Sequence, residues 1–248
     1  MNLLKTLLSF IILFCFISES NAGDIKGKVK YDGKPPKKKP LRMDADPICG
    51  SSHSSKVFAE SFKVNAKGEL AECIVYLKDI SYKGEVPSKA VELDQKGCIY
   101  KPHVFGIQAG QELLIKNSDA TLHNIHSMPK KNREFNFAMP KVVKTKKAKF
   151  DSSEDPFYIK CDVHPWMRSW VVVLDHPYWA VTDQDGNYSM NLDSLDPGTY
   201  DLCFWHEKWD KPMKGTGYCS DEYKTTVTIA DKSVDAGTQI FKRPKKKK

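Results

Sequence analysis

The sequence predicts an all-β protein built as two successive β-sandwiches. Three observations predict it. Apolar residues recur at every second position in nearly every structured stretch. Turn signals made of Gly, Pro, Asn and Asp break the alternation at short intervals. No segment of twelve or more residues carries a sustained apolar stripe at helical spacing. Short alternating runs with regular turns are the pattern of sandwiches.

The chain opens "MNLLKTLLSFIILFCFISESNAGD". Lys5 precedes an apolar run over 7–17, and Ser20-Asn21-Ala22 follows. A charged start, an apolar middle and a small-residue end predict a secretory signal peptide over 1–22, cleaved after Ala22. The run is too short to span a bilayer comfortably. Phe14, before Cys15, is too bulky for a lipoprotein processing site. The mature chain is expected from Gly23, exported to the periplasm or beyond, with no membrane-spanning segment.

"GDIKGKVKYDGKPP" alternates as a strand and breaks at Gly33 and Pro35-Pro36. Residues 32–56 are rich in Lys and Pro and predict a long surface loop. "ELAECIVYLKDI" alternates around Ile74, Tyr76 and Leu77. "HVFGIQAGQELLIKNSD" gives two strands about a turn at Gly110, and "DPFYIKC" and "RSWVVVLDH" give a further pair. A boundary is expected near His176-Pro177. Beyond it, Asp185-Gly186 and Pro197-Gly198 close hairpins in which Tyr188, Met190 and Leu192, then Tyr200, Leu202 and Phe204, face inward. Asp183 and Asp185 lack the other oxygens of a calcium loop, so a plain turn is expected. The expected division is a signal peptide 1–22, a first sandwich 23–175, a second 176–241 and a basic tail 242–248.

The formal net charge is +8, with lysines clustered at 34–39, 130–149 and 242–248. An exported chain has little use for nucleic acid, so this balance points to acidic protein partners, anionic surfaces or plain solubility. There are seven cysteines. Without Cys15, six remain: Cys49, Cys73, Cys98, Cys161, Cys203 and Cys219. An even count in an oxidising compartment predicts disulfides. If Cys161 is a metal thiolate, at least one other cysteine must stay unpaired.

The chemistry is concentrated in "YIKCDVHPWMRSW", which holds Cys161, His164 and Met167 within seven residues. A short loop between two strands, stiffened by Pro165, turns all three side chains toward one end of a sandwich. Thiolate, imidazole and thioether suit copper and disfavour magnesium or calcium. Zinc accepts Cys and His but has little use for Met. A trigonal site needs a second imidazole, and "IKNSDATLHNIHS" supplies His123 and His126. Three apart on a strand, they cannot face the same way. His123 is taken as the inward one and His126 as a surface residue. Asn124 is then placed to hydrogen-bond the Cys161 loop and hold the two ligand segments together.

"NSDATLHN" followed some forty residues on by "CDVHPWM" resembles a type 1 (blue) copper protein, a cupredoxin. The Cys-x-x-His-x-x-Met spacing is similar to that of an amicyanin-like loop, and "YKPHVFGIQAGQELLIKNSD" to the strand pair before the first ligand. The likeness covers roughly residues 24–175. It extends to exported cupredoxin-like proteins, some labelled methylamine utilisation proteins, which share "GC-Y-PHV", "FN--MP" and "HP-WAVTD-DG". The resemblance implies one copper held by His123, Cys161, His164 and Met167. It also implies that the outer edge of His164 is the most exposed part of the site, flanked by an apolar patch of Pro165 and Trp166. The lysines at 144, 146, 147 and 149 either ring that patch for an acidic redox partner, a cytochrome or a dehydrogenase, or sit on the far side and only keep the protein soluble.

Cys98 and His103 fall near the expected copper end, but two donors make no site; Cys49–Cys98 and Cys203–Cys219 disulfides are expected, with Cys73 unpaired. Met139, His53, His176 and the His206-Glu207 pair are read as packing or polar detail. "VTDQDGNYSMNLDSLDPGTYDLCFWHE" resembles the carboxypeptidase regulatory-like, transthyretin-like sandwich, which implies a stalk or docking module.

The expected function is electron transfer by a mononuclear copper protein, not enzymatic turnover. The chain has no His-x-His pair for a copper cluster and no Cys-x-x-x-Cys for a dinuclear site. The alternatives are a copper chaperone or a metal-free structural or docking protein of the cell envelope.

Overall fold

The computed structural model describes residues 23–209, 219–230 and 233–243. The expected signal peptide and residues 244–248 of the expected tail lie outside the described residues. Sixteen strands are described, in the order β1 (Asp24–Asp32), β2 (Ile74–Leu77), β3 (Val91–Gln95), β4 (Tyr100–Lys101), β5 (Val104–Gln108), β6 (Glu112–Asn117), β7 (His123–Ser127) and β8 (Asn136–Met139). They continue as β9 (Thr145–Lys149), β10 (Glu154–Lys160), β11 (Arg168–Leu174), β12 (Trp179–Val181), β13 (Asn187–Asn191), β14 (Gly198–Trp205), β15 (Lys224–Ile229) and β16 (Val234–Lys242). One short helix, α1 (Pro47–Ser51), lies in the long segment after β1. The protein is all-β, as its alternation predicts. No helix among the described residues is long and apolar enough to cross a membrane.

The strands form four sheets, ordered β4-β3-β6-β9, β5-β11-β10-β7-β8, β12-β2-β14-β15 and β13-β1-β16. Three apolar cores join them into one stack. Leu93, Leu113 and Ile115 meet Ile125, Val171 and Val173 between the first two sheets. Trp170, Val172 and Leu174 meet Ile74, Tyr76 and Trp205 between the second and third. Val75, Leu77 and Phe204 meet Ile25, Val29 and Met190 between the third and fourth. β11 therefore has a core on each face. A strand buried on both faces reads as a continuous apolar run rather than an alternation, and "WVVVL" is that run.

The pairing corrects the first boundary of the expected division. β1 lies parallel to β16 and antiparallel to β13, and β2 lies between β12 and β14. Both were expected in the first sandwich. Their alternation says that they are strands but carries no information about partners more than a hundred residues away. The strands over 91–174 form the two-sheet unit that leaves the chain after β2 and returns to it at β12.

The expectation of a plain surface loop over 32–56 also needs correction. Cys49 and Met43 in this segment are buried, clustered with Cys98 and packed by Trp166. The Cys49–Cys98 disulfide ties the segment to the β3–β4 turn, and Cys203–Cys219 closes the second expected bridge. Cys73 and Cys161 are free.

Candidate metal centre

β10 ends at Lys160 and β11 begins at Arg168, so Cys161, His164 and Met167 share one tight connection. The Met167 amide donates to the His164 carbonyl (2.9 Å) and the Cys161 amide to the Met167 carbonyl (3.2 Å). These bonds fold the turn inward and bury Cys161, His164 and Met167. His123 is the first residue of β7, which pairs with β10 through Lys160↔His126 and Ile159↔Ser127. That register brings the start of β7 against the turn.

The Nδ1 atoms of His123 and His164 stand 3.0 Å apart, and the Cys161 Sγ lies 3.9 Å from His164 Nδ1. One donor atom from each of the three residues lies within 4.8 Å of the others. Two nitrogens each about 2.0 Å from one ion, with bond angles of about 100–120°, stand about 3.1–3.5 Å apart, and a sulfur sits somewhat farther from each. The donor spacing thus fits a single soft or borderline metal ion. Met167, wholly buried, shares a core with Cys161.

The electrostatics favour a thiolate. Burial pushes the Cys161 thiol up, but the His123 ring and the amides of Asn124, His164 and Val163 together carry it below its ordinary value. Burial pulls His123 down, yet Asp119 and Cys161 hold it at about 9. His164 is pulled below its ordinary value by burial, against the opposing Asp46 carboxylate. At neutral pH the metal-free centre therefore holds a proton on His123 beside a neutral His164, and the Cys161 thiol gives up its own proton more readily than an ordinary cysteine. Metal binding would release the His123 proton.

Asn124 links the two ligand segments. Its Oδ1 accepts from the Asp162 amide (2.5 Å), and its own amide donates to Cys161 Sγ (3.4 Å). His126 points to the other side of β7, between Asp162 (2.8 Å) and Glu134 (2.7 Å), and is not among the converging donors. Cys98 is bridged. His103 lies instead between the Arg168 carbonyl and Glu207, which also accepts from Trp170 Nε1 (2.6 Å) at the joint between the middle sheets. Met139 is buried against Gln95 Nε2 (3.0 Å).

His164 is the most exposed of the four expected ligands, but at only 3% it offers no open edge, which corrects the expected contact surface. Its Nε2 meets Asp46 Oδ2 at 3.0 Å and Cys49 Sγ at 3.8 Å. The physical reason is the segment after β1, which the disulfide clamps over the turn. His123 Nε2 is closed in the same way by Asp119 Oδ2 (2.8 Å), itself held by the amides of Gly97 and Cys98. Trp166 packs beside His164 with ring centroids 4.9 Å apart and donates from Nε1 to the Cys98 carbonyl (2.9 Å). Of the expected patch, Pro165 is exposed and Trp166 is half-buried.

The lysines do not form the expected ring. β9 pairs antiparallel with β6, so it starts beside Asn117 at the ligand end and runs away toward Lys149. Lys144 is at the near end, Lys147 is paired with Glu112 (3.0 Å), and Lys146 covers Phe137.

Sequence reasoning missed Asp46, Asp119 and Asp162. Asp46 carried a local signal: an Asp before Pro is an N-cap followed by the residue favoured at the first helical position. Its side chain does accept from the Ile48 and Cys49 amides.

No protein-family model matches the chain, and no curated protein matches it. Solved structures resemble it in part. A purple cupredoxin from Nitrosopumilus maritimus is 20% identical, over 33% of this chain and 97% of that one, with a TM-score of 0.28. Amicyanin from Paracoccus versutus is 25% identical over 36% and 85%, with a TM-score of 0.30. A copper-containing nitrite reductase from Thermus scotoductus is 18% identical over 40% and 25%, with a TM-score of 0.31.

Proposed function

We propose that this chain is an exported protein that binds one copper ion of type 1 and carries electrons, with His123, Cys161, His164 and Met167 as ligands. The observation that carries the proposal is the convergence of the Cys161 thiol and both histidine Nδ1 atoms in a buried pocket, with the thiol already biased toward thiolate. Copper supplies a one-electron change of oxidation state. The chain's own residues hold the donors fixed and keep water out. Cys161 is anchored by amides, His123 and His164 by outer carboxylates, and the two segments by Asn124.

Burial of all the donors speaks for a retained ion and against a chaperone, which needs donors within reach of a partner. The residues over 91–174 would be the cupredoxin-like unit, carried as an excursion from a transthyretin-like sandwich. An acidic redox protein remains the proposed partner. The test is the visible spectrum of copper-loaded protein: an intense thiolate-to-copper band is expected, and it must vanish in Cys161→Ser. Copper-loaded protein without that band would defeat the reading.

A further inference from the structure

The carboxylate of Asp46 comes from a segment 118 residues away from His164, yet its Oδ2 lies 3.0 Å from that ring's Nε2. Capping α1 does not account for this contact. The cap uses Oδ1, which accepts from the Ile48 amide (2.8 Å) and the Cys49 amide (3.1 Å). Oδ2 is free of the helix and is shared between His164 and the Thr121 hydroxyl, which donates to it at 2.9 Å. Both oxygens are thus fixed, and the Cys49–Cys98 bridge fixes the segment that bears them.

A neutral imidazole carries its proton on one nitrogen, and the partner of each nitrogen decides which. A carboxylate can only accept, so the nitrogen facing it must donate. From this geometry we infer that Asp46 is a positioning residue of the metal centre: it keeps the proton of His164 on Nε2 and thereby turns the Nδ1 lone pair toward Cys161 and His123. It also places a fixed negative charge behind a ligand. A carboxylate behind a metal-bound histidine raises the basicity of the ligand and orients its ring. That charge favours the more highly charged metal ion. This inference rests on the metal reading above and deepens it, since it makes the inserted segment part of the centre rather than a covering loop.

The experiment uses the mature chain and two variants that both retain a helix-capping oxygen. Asp46→Asn keeps Oδ1 on the cap and sets an NH2 donor against His164, so the ring should reverse to the Nδ1–H form. Asp46→Ser caps the helix but is too short to reach the ring, so the two forms should mix. Nitrogen NMR of the metal-free protein at about pH 10, where His123 has lost the proton it would donate to His164 Nδ1, reads the tautomer directly, and the wild type should show Nε2–H. With copper added, both variants should bind copper(II) about 10- to 100-fold more weakly. Copper(I) affinity should fall less, so the reduction potential rises. His164 retaining Nε2–H in both variants, or a wild type already protonated at Nδ1, would overturn the assignment. The tautomer is measured without copper. A wild type that lacks the thiolate band therefore defeats the copper reading alone, while the Asp46 assignment is judged separately.

Discussion

Two buried thiols set the two halves of this molecule against each other. Cys73 lies in the core between the outer sheets, wholly buried, with its amide donating to Thr182 Oγ1. Burial drives its thiol well above the ordinary range, despite Thr182, and the nearby Glu72 adds to the rise. Cys161 is 2% exposed, yet its thiol falls below the ordinary range because His123 and three amides outweigh burial. Both are free and both are close to fully buried, so burial alone does not decide the chemistry. The groups within hydrogen-bond reach do.

The largest test of that contrast is deletion of each thiol in turn. Cys161→Ser should abolish copper retention and the thiolate band. Cys73→Ala should leave both intact and cost about 1–2 kcal/mol in denaturant unfolding, the range for a small buried cavity. Equal effects on copper would break the comparison.

The second test is pH. His123 is held at about 9 in the folded, metal-free protein against 6.5 when unfolded. Its contribution is therefore complete below pH 6.5 and is lost as pH rises through about 9. At 1.36 kcal/mol per unit this is on the order of 3 kcal/mol. The outer sheets respond oppositely. Burial pulls His206 down to about 3 and His176 to about 4. Neither binds a proton readily when folded, so stability should drop as pH falls below 6.5, where the unfolded chain takes up protons. Urea midpoints of the metal-free protein between pH 4 and 9 should show both flanks, with His123→Gln removing most of the loss between pH 6.5 and 9.

A smaller effect is expected at the link between ligand segments. Asn124→Ala removes the acceptor for the Asp162 amide and should weaken copper about tenfold without removing the band. Smallest is the steering by β9. Replacing Lys144, Lys146, Lys147 and Lys149 with Gln should change the salt dependence of reduction by an acidic redox partner only slightly, because one of the four lies at the ligand end and one is neutralised. A steep loss of salt dependence would restore the ring of lysines as a docking device.

What the sequence disclosed, and what it hid, follows from distance along the chain. The turn that holds Cys161, His164 and Met167 is seven residues long, and the period of a strand let only one of His123 and His126 face it, with the family resemblance pointing to His123. The pairing of β1 with β16 joins Ile25 to Val234, and alternation in "DIKGKVKYD" fits any sheet edge. Asp46 was hidden for the same reason. Its cap was readable from Asp-Pro, but the ring that its second oxygen meets lies in a different part of the chain. Asp119 was hidden as well: that its carboxylate reaches a ring four residues on depends on how β7 starts.

The two-faced burial of β11 has a practical consequence for anyone wishing to cut the molecule. Val172 and Val173 are neighbours in sequence, but the first supports the joint to the outer sheets and the second the core beside the ligands. A scalpel placed on either side of residues 91–174 would free a piece with Val104, Trp170, Val172 and Leu174 uncovered along one side. The piece that carries the donors is therefore not severable as a soluble unit, and the flanking sheets serve as its missing wall.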